Sequence, residues 1–402
     1  MKPKIIVIGN SYTTRLGIIR SVAQIECDII VIVIGHYGNF VQDIKATKPI
    51  DCYSKYVNKV LYYSEDAGKE GLVKLIMDEC IDESQKAIII PSSDFSASAI
   101  DNYQSSLKNF FLFPHIHFKE GAVSAWMNKM VQKEKAIEIG LNVPKGVVIE
   151  IIDQQYKIPQ DIAYPCFTKP MTSLNGGKKC VSKCNSQEEL KKILDVAVEY
   201  GISNILVEDY INIEEEYAIL GFSDGKEVII PGLVHFLKGS QTYPGVALMG
   251  RVQSIQGYEE LIDKYSLYIK KIGFVGIFDI DFFESGGKYY FGELNLRIGA
   301  SAYAIARMGV NLPAMYVKYF RGEDIIGMQH QIKGSAIYVN ERICISDWYN
   351  YKLSTEDYWN DIHAAEISFI LAENDPNPQK VYNRRYKRMY IKRIIKSLFH
   401  IN

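Results

Sequence analysis

The sequence predicts an α/β protein with a parallel sheet followed by an α+β region. Three observations carry this. Strand-like runs at 5–8, 29–34, 57–63, 87–90 and 110–113 alternate with helical stretches at 10–24, 69–82 and 94–107, and such alternation implies a parallel sheet with helices on both faces. Two further runs, 275–283 and 288–294, flank the turn Ser285-Gly286-Gly287, a strong hairpin signal. A length of 402 residues, 48% hydrophobic and 23% charged, suits a soluble globular chain of two or three domains.

Composition excludes several function classes. A formal net charge of −1 gives no hint of a nucleic-acid partner. No apolar run reaches the roughly 18–20 residues that span a bilayer. The start, Met1-Lys2-Pro3-Lys4 before the apolar run at 5–8, reads as a first strand rather than a signal peptide. Seven cysteines form no CxxC, and Cys180-x3-Cys184 has no nearby His or Cys to complete a zinc site. Reduced thiols in a cytoplasm are the simplest account.

Two strand ends of the first sheet carry small polar residues, Gly9-Asn10-Ser11-Tyr12-Thr13-Thr14-Arg15 and Pro91-Ser92-Ser93-Asp94. Ligands of such sheets sit at the carboxyl ends of strands. The first loop is not GxGxxG, which argues against a dinucleotide site. It is read either as a strand-to-helix turn capped by Ser11 or Thr13 or as a loop that meets an acceptor substrate. Residues 123–139 read as one helix stopped by Gly140, leading through Asn142-Val143-Pro144 into a strand at 146–149.

At 164–170 a strand ends in Thr168-Lys169-Pro170, and Ser173-Leu174-Asn175-Gly176-Gly177-Lys178-Lys179 follows. Pro170 pushes Lys169 toward extended geometry. Glycines let backbone N–H groups approach phosphates, and lysine adds charge. The loop lacks the GxxxxGK[ST] spacing. An amphipathic helix at 186–200 opens with the capping box Ser186-x-x-Glu189. A strand at 205–211 and an acidic turn, Glu214-Glu215-Glu216, come next. Between 229 and 253, His235, Lys238, Tyr243 and Arg251 fall in a Gly- and Pro-rich connection. His235 is more often structural. Arg251 is a candidate for contacting a carboxylate or phosphoryl group.

The hairpin carries the chemistry. Strand alternation puts Asp279, Asp281 and Phe283 on one face, and Phe291, Glu293 and Asn295 on one face of its partner. Asp281, Glu293 and Asn295 can then meet as oxygen ligands, a set that suits Mg²⁺. The alternative is a hairpin with polar residues on its wet face. Arg297 can clamp a transferred phosphoryl group.

This pattern resembles the ATP-grasp superfamily, whose signature is an acidic residue on one strand and E-x-N-x-R on the next, here Asp281 and Glu293-Leu294-Asn295-Leu296-Arg297. Leu296 stands where the family often has proline. Upstream, Asn128-Lys129 with Gly140-Leu141-Asn142-Val143-Pro144, and the Lys169-Pro170 strand with its Gly-rich flap, resemble further family parts. The resemblance covers roughly 119–325. It implies a Rossmann-like pre-ATP-grasp domain at 1–118, an ATP-grasp domain of two α+β subdomains at 119–330 with a flap subdomain at about 145–210, and an extension at 331–402.

It implies ATP and Mg²⁺ (or Mn²⁺) as cofactors. Lys129, Lys169, Gly176 and Gly177 would hold phosphates. Glu208, Asp209, Tyr210 and Ile211 would meet adenine, and Glu216, or Glu215, would take the ribose hydroxyls. It further implies ATP-dependent ligation, in which a carboxylate becomes an acyl-phosphate and an amine displaces phosphate, with Arg297 and Arg251 as catalytic candidates. The nearest likeness is to carboxylate–amine ligases related to carbamoyl-phosphate synthase and the D-aspartate ligase type. A non-amine acceptor and a non-catalytic nucleotide-binding role remain as rivals. A homodimer is an open option.

The tail from 384 to 402 has seven Arg and Lys residues and no acid. Ile391, Ile394, Ile395 and Leu398 follow at i, i+3, i+4 and i+7. That spacing makes a basic amphipathic helix, suited to an anionic membrane surface or to docking its apolar side on the body.

Overall fold

The computed structural model describes residues 2–35, 48–171, 177–243 and 245–398. Strands β1 (Lys4–Gly9), β2 (Asp28–Gly35), β3 (Val57–Ser64), β4 (Ala87–Pro91) and β5 (Phe111–Leu112) form a parallel sheet in the order β3-β2-β1-β4-β5. The expected alternation is therefore present. The order reverses between β1 and β4, and a crevice at that switch point is where such sheets bind ligands. The two polar strand ends flank it. Gly9 is required there, since a Cβ would stand 2.0 Å from Ser92 Oγ.

The first helix is shorter than expected, Tyr12–Val22, with Ser11 as its N-cap. Arg15 therefore lies inside the helix. Its guanidinium is buried, donating to Gly9 O at 2.6 Å and to Asp51 at 2.7 and 3.0 Å, so only Asn10 and Ser11 remain as a loop. The single helix expected at 123–139 is also broken. It divides into Ala122–Ala125 and Lys129–Glu138 because Asn128 turns extended and caps the second piece through Met130 N (2.9 Å). Asn competes well with helical backbone in this way.

Strand β6 (His115–Ile116) joins the large sheet described below. Strands β7 (Gly146–Ile152), β8 (Gln155–Tyr156), β9 (Cys166–Pro170), β10 (Ser182–Cys184) and β11 (Asn204–Asp209) form an antiparallel sheet ordered β10-β9-β11-β7-β8. The helix Gln187–Glu199 covers it through Leu190, Leu194 and Ala197. All seven cysteines are free.

The large sheet comprises β12 (Glu215–Asp224), β13 (Val228–Ile229), β14 (Leu233–Gly239), β15 (Ala247–Gln253), β16 (Phe274–Ser285), β17 (Lys288–Asn295), β18 (Ser335–Val339) and β19 (Ile367–Ser368), with β6 at the margin. Residues 331–402, expected as an extension, thus give it two strands. One face, with Ala218, Leu220, Val234 and Val252, shares a core with β1, β2 and β4. The other, with Tyr217, Ile219, Ile280 and Phe282, packs on the helix Glu259–Ile272.

The last helix, Pro376–Leu398, docks by tyrosines rather than by its isoleucines. Tyr386 lies 5.4 Å from Trp348 and 5.5 Å from Tyr358 between ring centroids, and Arg393 stacks 4.4 Å above Trp348. Ile391, Ile394 and Ile395 stay exposed. No helix among the described residues is long and apolar enough to cross a membrane.

Candidate active site

The β16–β17 hairpin turns through Gly286 and Gly287, both at positive φ (+56° and +68°), with Ser285 opposite Lys288. That backbone suits a two-residue hairpin turn. Asp281 pairs with Glu293 and Asp279 with Asn295, so the expected ligand set does share one face. One expectation fails. A bulge at Gly292 sets Phe291 opposite Phe282, in the core behind the sheet. An extra residue reverses the alternation. A Cβ at Gly292 would stand 2.8 Å from Asp281 O, so the bulge depends on glycine.

Lys129 and Lys169 converge from the broken helix and from β9. Lys129 Nζ lies 2.5 Å from Glu293 Oε1, and Lys169 Nζ lies 2.6 Å from Glu208 Oε2. Lys129 N also donates to Met171 O (3.0 Å), which ties the helix start to the end of β9. A third cation, Lys133, completes the cluster. It is buried, pairs with Glu208 and donates to Pro144 O at 2.8 Å. Sequence reading did not single it out, yet its i, i+4 spacing from Lys129 puts both on one helix face. Burial, reinforced by the charge of Lys169, brings Lys133 down to about 7. Burial and the charge of Lys129 bring Lys169 down to about 8.

Three ammonium groups thus face two carboxylates, an arrangement suited to an added polyanion. Gln132 was also missed and had no sequence signal. It brackets Leu294 by accepting from its N–H (2.9 Å) and donating to its C=O (2.8 Å), so the lysine helix is locked to the hairpin.

Asp281 lies beside Asp279 and Glu293. Burial and their charges hold its carboxyl well above the usual range. Burial also raises Asp279 to about 6, against the pull of Arg297. Arg297 donates to Asp94 Oδ1 (2.5 Å) and Asn295 Oδ1 (3.2 Å), joining the hairpin to the β4 loop. No three His, Cys, Asp or Glu side chains among the described residues cluster closely enough to hold a metal ion. The candidate set is two carboxylates and an amide oxygen. Such hard oxygen donors, with an excess of negative charge at Asp279 and Asp281, fit Mg²⁺ with phosphates completing its shell.

Other expected residues are placed as follows. Glu208 is buried with its carboxylate between two lysines, so it is not open to a purine edge. Asp209 N and Tyr210 N donate to Lys145 O (2.8 Å) and Pro165 O (3.2 Å), and Ile211 is half-buried. Glu216 is exposed and pairs with Phe283, on the face of Asp281. Glu215 falls on the other face and pairs with His235 at 2.5 Å, so of the two glutamates Glu216 is the one on the face of Asp281. Arg251 does not reach the site. It pairs across strands with His235, on the face turned away from Asp281, and this corrects its expected catalytic role. Lys238 pairs with Asp361 at 2.7 Å. Gly177 follows β9, and Gly176 lies outside the described residues.

A cavity of about 420 Å³ opens beside the hairpin, lined by Asn10, Ser92, Asp94, Asp279, Asp281 and Arg297 among others. Both polar strand ends of the parallel sheet therefore meet the metal-ligand face. Tyr338, Asn340 and Phe369 also line it. Nothing in the sequence marked these three.

Residues 134–304 match the model of the ATP-grasp domain. Among curated proteins the chain is 24% identical over 279 residues to a D-aspartate ligase of Enterococcus faecium, covering 65% of each. It is 30% identical over 192 residues to a D-alanine–D-alanine ligase of Streptococcus pneumoniae, covering 44% of this chain and 53% of that one. The chain thus spans between about half and two thirds of the length of these relatives. Among solved structures, the biotin carboxylase domain of the Hydrogenobacter thermophilus 2-oxoglutarate carboxylase, in complex with MgADP and bicarbonate, superposes with a TM-score of 0.63. It is 18% identical, covering 84% of this chain and 74% of that one. The domain match at 134–304 thus agrees with the fold and with the hairpin geometry.

Proposed function

We propose that this protein is an ATP-dependent carboxylate–amine ligase acting on amino-acid or peptide-like substrates. The observation that carries this reading is the convergence of Lys129, Lys133 and Lys169 beside Glu293 and of an acceptor-sized cavity beside Asp279 and Asp281, on the same face of the hairpin. In the proposed reaction a substrate carboxylate attacks the γ-phosphorus of ATP, and ADP leaves. The amine nitrogen then attacks the acyl carbon, and phosphate departs with the C–O bonding pair.

Carboxylate and triphosphate repel each other, so fixed positive charge is what such a site must supply. Lys129 and Lys169 would exchange their carboxylate partners for phosphate oxygens. Arg297, held by Asp94, would orient the transferred group, and Glu216 would take the ribose. Asp281, Glu293 and Asn295 would hold Mg²⁺ or Mn²⁺, which when bound offsets phosphate charge. The ligase names of two relatives support the reading. Free thiols and the use of ATP fit a cytoplasmic setting. The exposed isoleucines of the tail, among basic residues, leave contact with an anionic membrane as a side proposal. Vesicle flotation of the protein with and without 384–402 would test it, and equal recovery of both would end it.

The test of function is ADP release with Mg-ATP across amino acids, dipeptides and hydroxy acids. Release is expected to depend on a carboxylate and on an amine. A bicarbonate requirement without an amine would make the protein a carboxylase instead. ATP binding without turnover on any substrate would make it a nucleotide-binding protein.

A further inference from the structure

The acceptor cavity contains oxygen atoms that the folded chain leaves unpaired. Asn340 stands at the N-cap of the helix Glu341–Tyr349, where an asparagine side chain ordinarily accepts from the first helical N–H groups. Here it makes no capping hydrogen bond. The residue is 5% exposed and lines the cavity, and its Oδ1 is buried with no hydrogen-bond partner. Asp279 lines the same cavity, and its Oδ1 is likewise buried and unpartnered. Its other oxygen is accommodated by Gly299, where a Cβ would stand 1.8 Å away. Arg297, the nearby cation, hydrogen-bonds Asp94 and Asn295. A buried acceptor without a donor costs roughly 1–3 kcal/mol, and two around one cavity point to a ligand.

The chemistry of that ligand follows from the atoms left open. Both are acceptors, and one belongs to a carboxylate. A carboxylate or phosphate group would bring oxygen against oxygen. A hydroxyl supplies one donor, whereas an ammonium supplies three donors, no acceptor and a positive charge. We propose that Asn340 and Asp279 form the subsite that binds the amino group of the amine substrate, recognised as its ammonium form, which gives up one proton to water before the nitrogen attacks the acyl carbon. This rests on the ligase reading for the identity of the substrate. It assigns the recognition to a side chain from the C-terminal part of the chain, beyond the matched ATP-grasp residues.

Equilibrium binding tests the subsite without requiring turnover. Wild type, Asp279→Asn and Asn340→Leu, each loaded with Mg-ADP, are titrated calorimetrically with L- and D-amino acids and with the corresponding 2-hydroxy acids. At least one amino acid is expected to bind wild type about tenfold or more tightly than its hydroxy acid, and to lose about tenfold or more in each variant. ADP affinity should not change in Asn340→Leu. Asn340→Leu should also melt no earlier than wild type, since it removes a polar atom without a partner. An Asn340 with a merely structural role would lower the midpoint. Equal binding of amino and hydroxy acids, unchanged affinity in both variants, or no binding of any amino acid at millimolar concentration overturns the proposal. Binding that behaves as expected in a protein that never releases ADP would refute the ligase reading and leave the subsite standing.

Discussion

The two regions beside the carboxylate face of the hairpin, the lysine side at Glu293 and the cavity side at Asp279, manage charge in opposite ways. On the lysine side every ammonium has a carboxylate partner, with Lys129 on Glu293 and Lys133 and Lys169 sharing Glu208. On the cavity side Asp279 and Asn340 hold oxygens with no partner. The lysine side is closed on itself, and a polyanion would bind there by exchanging one set of partners for another. The cavity side is incomplete until a donor arrives. The difference teaches where selectivity is to be sought: exchange tolerates any comparable anion, whereas unpaired acceptors discriminate among ligands by their donors.

The largest expected effect comes from breaking the element both sides share. Glu293→Ala removes a proposed metal ligand and the partner of Lys129, and ADP release should fall by about 10²–10³-fold. A loss below tenfold would dissociate the hairpin from the chemistry. Next, Lys169→Met leaves Glu208 with Lys133 alone. ATP affinity should weaken by about 10–100-fold while amino-acid binding and melting temperature hold, as a titration and a melting curve would read. An equal loss on both sides would mean that the two are not separable.

Gly292→Ala forces a Cβ against Asp281 O and should cost about 1–3 kcal/mol of stability, measured by urea unfolding. An unchanged midpoint would mean that the bulge tolerates a side chain.

The smallest effect is a pH slope. Lys133 is lowered to about 7 in the fold, against about 10.4 when unfolded. Between these values the unfolded chain binds the extra proton, so stability rises with pH across that window. The penalty is full below about 7. The advantage of wild type over Lys133→Met in urea midpoint should therefore grow from about pH 7 to about 8.5, and ionisation of the cysteines common to both proteins cancels in that difference. A constant difference would show that the charged form is retained throughout.

Much of this site was legible in the sequence because local chemistry dictates it. The Gly-Gly turn, the Glu293-x-Asn295-x-Arg297 spacing and the Lys169-Pro170 strand end each act within a few residues, and the hairpin brings Asp281 to Glu293 as alternation requires. Lys133 was legible in principle through its i, i+4 relation to Lys129. Arg251 and Glu215 were not, because a period of two makes the face of a strand residue depend on register, which the paired strands decide. Phe291 was misplaced because a bulge depends on how the partner strand accommodates the extra residue.

The sequence alone determined the alternation of the first sheet, the hairpin turn and the placing of Lys129 directly after Asn128 and of Lys169 at a strand end, since turn propensity, periodicity and spacing are short-range. Only the tertiary structure decided that Asn128 would break the helix and that Glu208 would be shared by two buried lysines. It also brought Asn340, far along the chain, into the cavity beside Asp279. Those outcomes depend on which distant surfaces pack together and on which polar groups packing leaves without a partner.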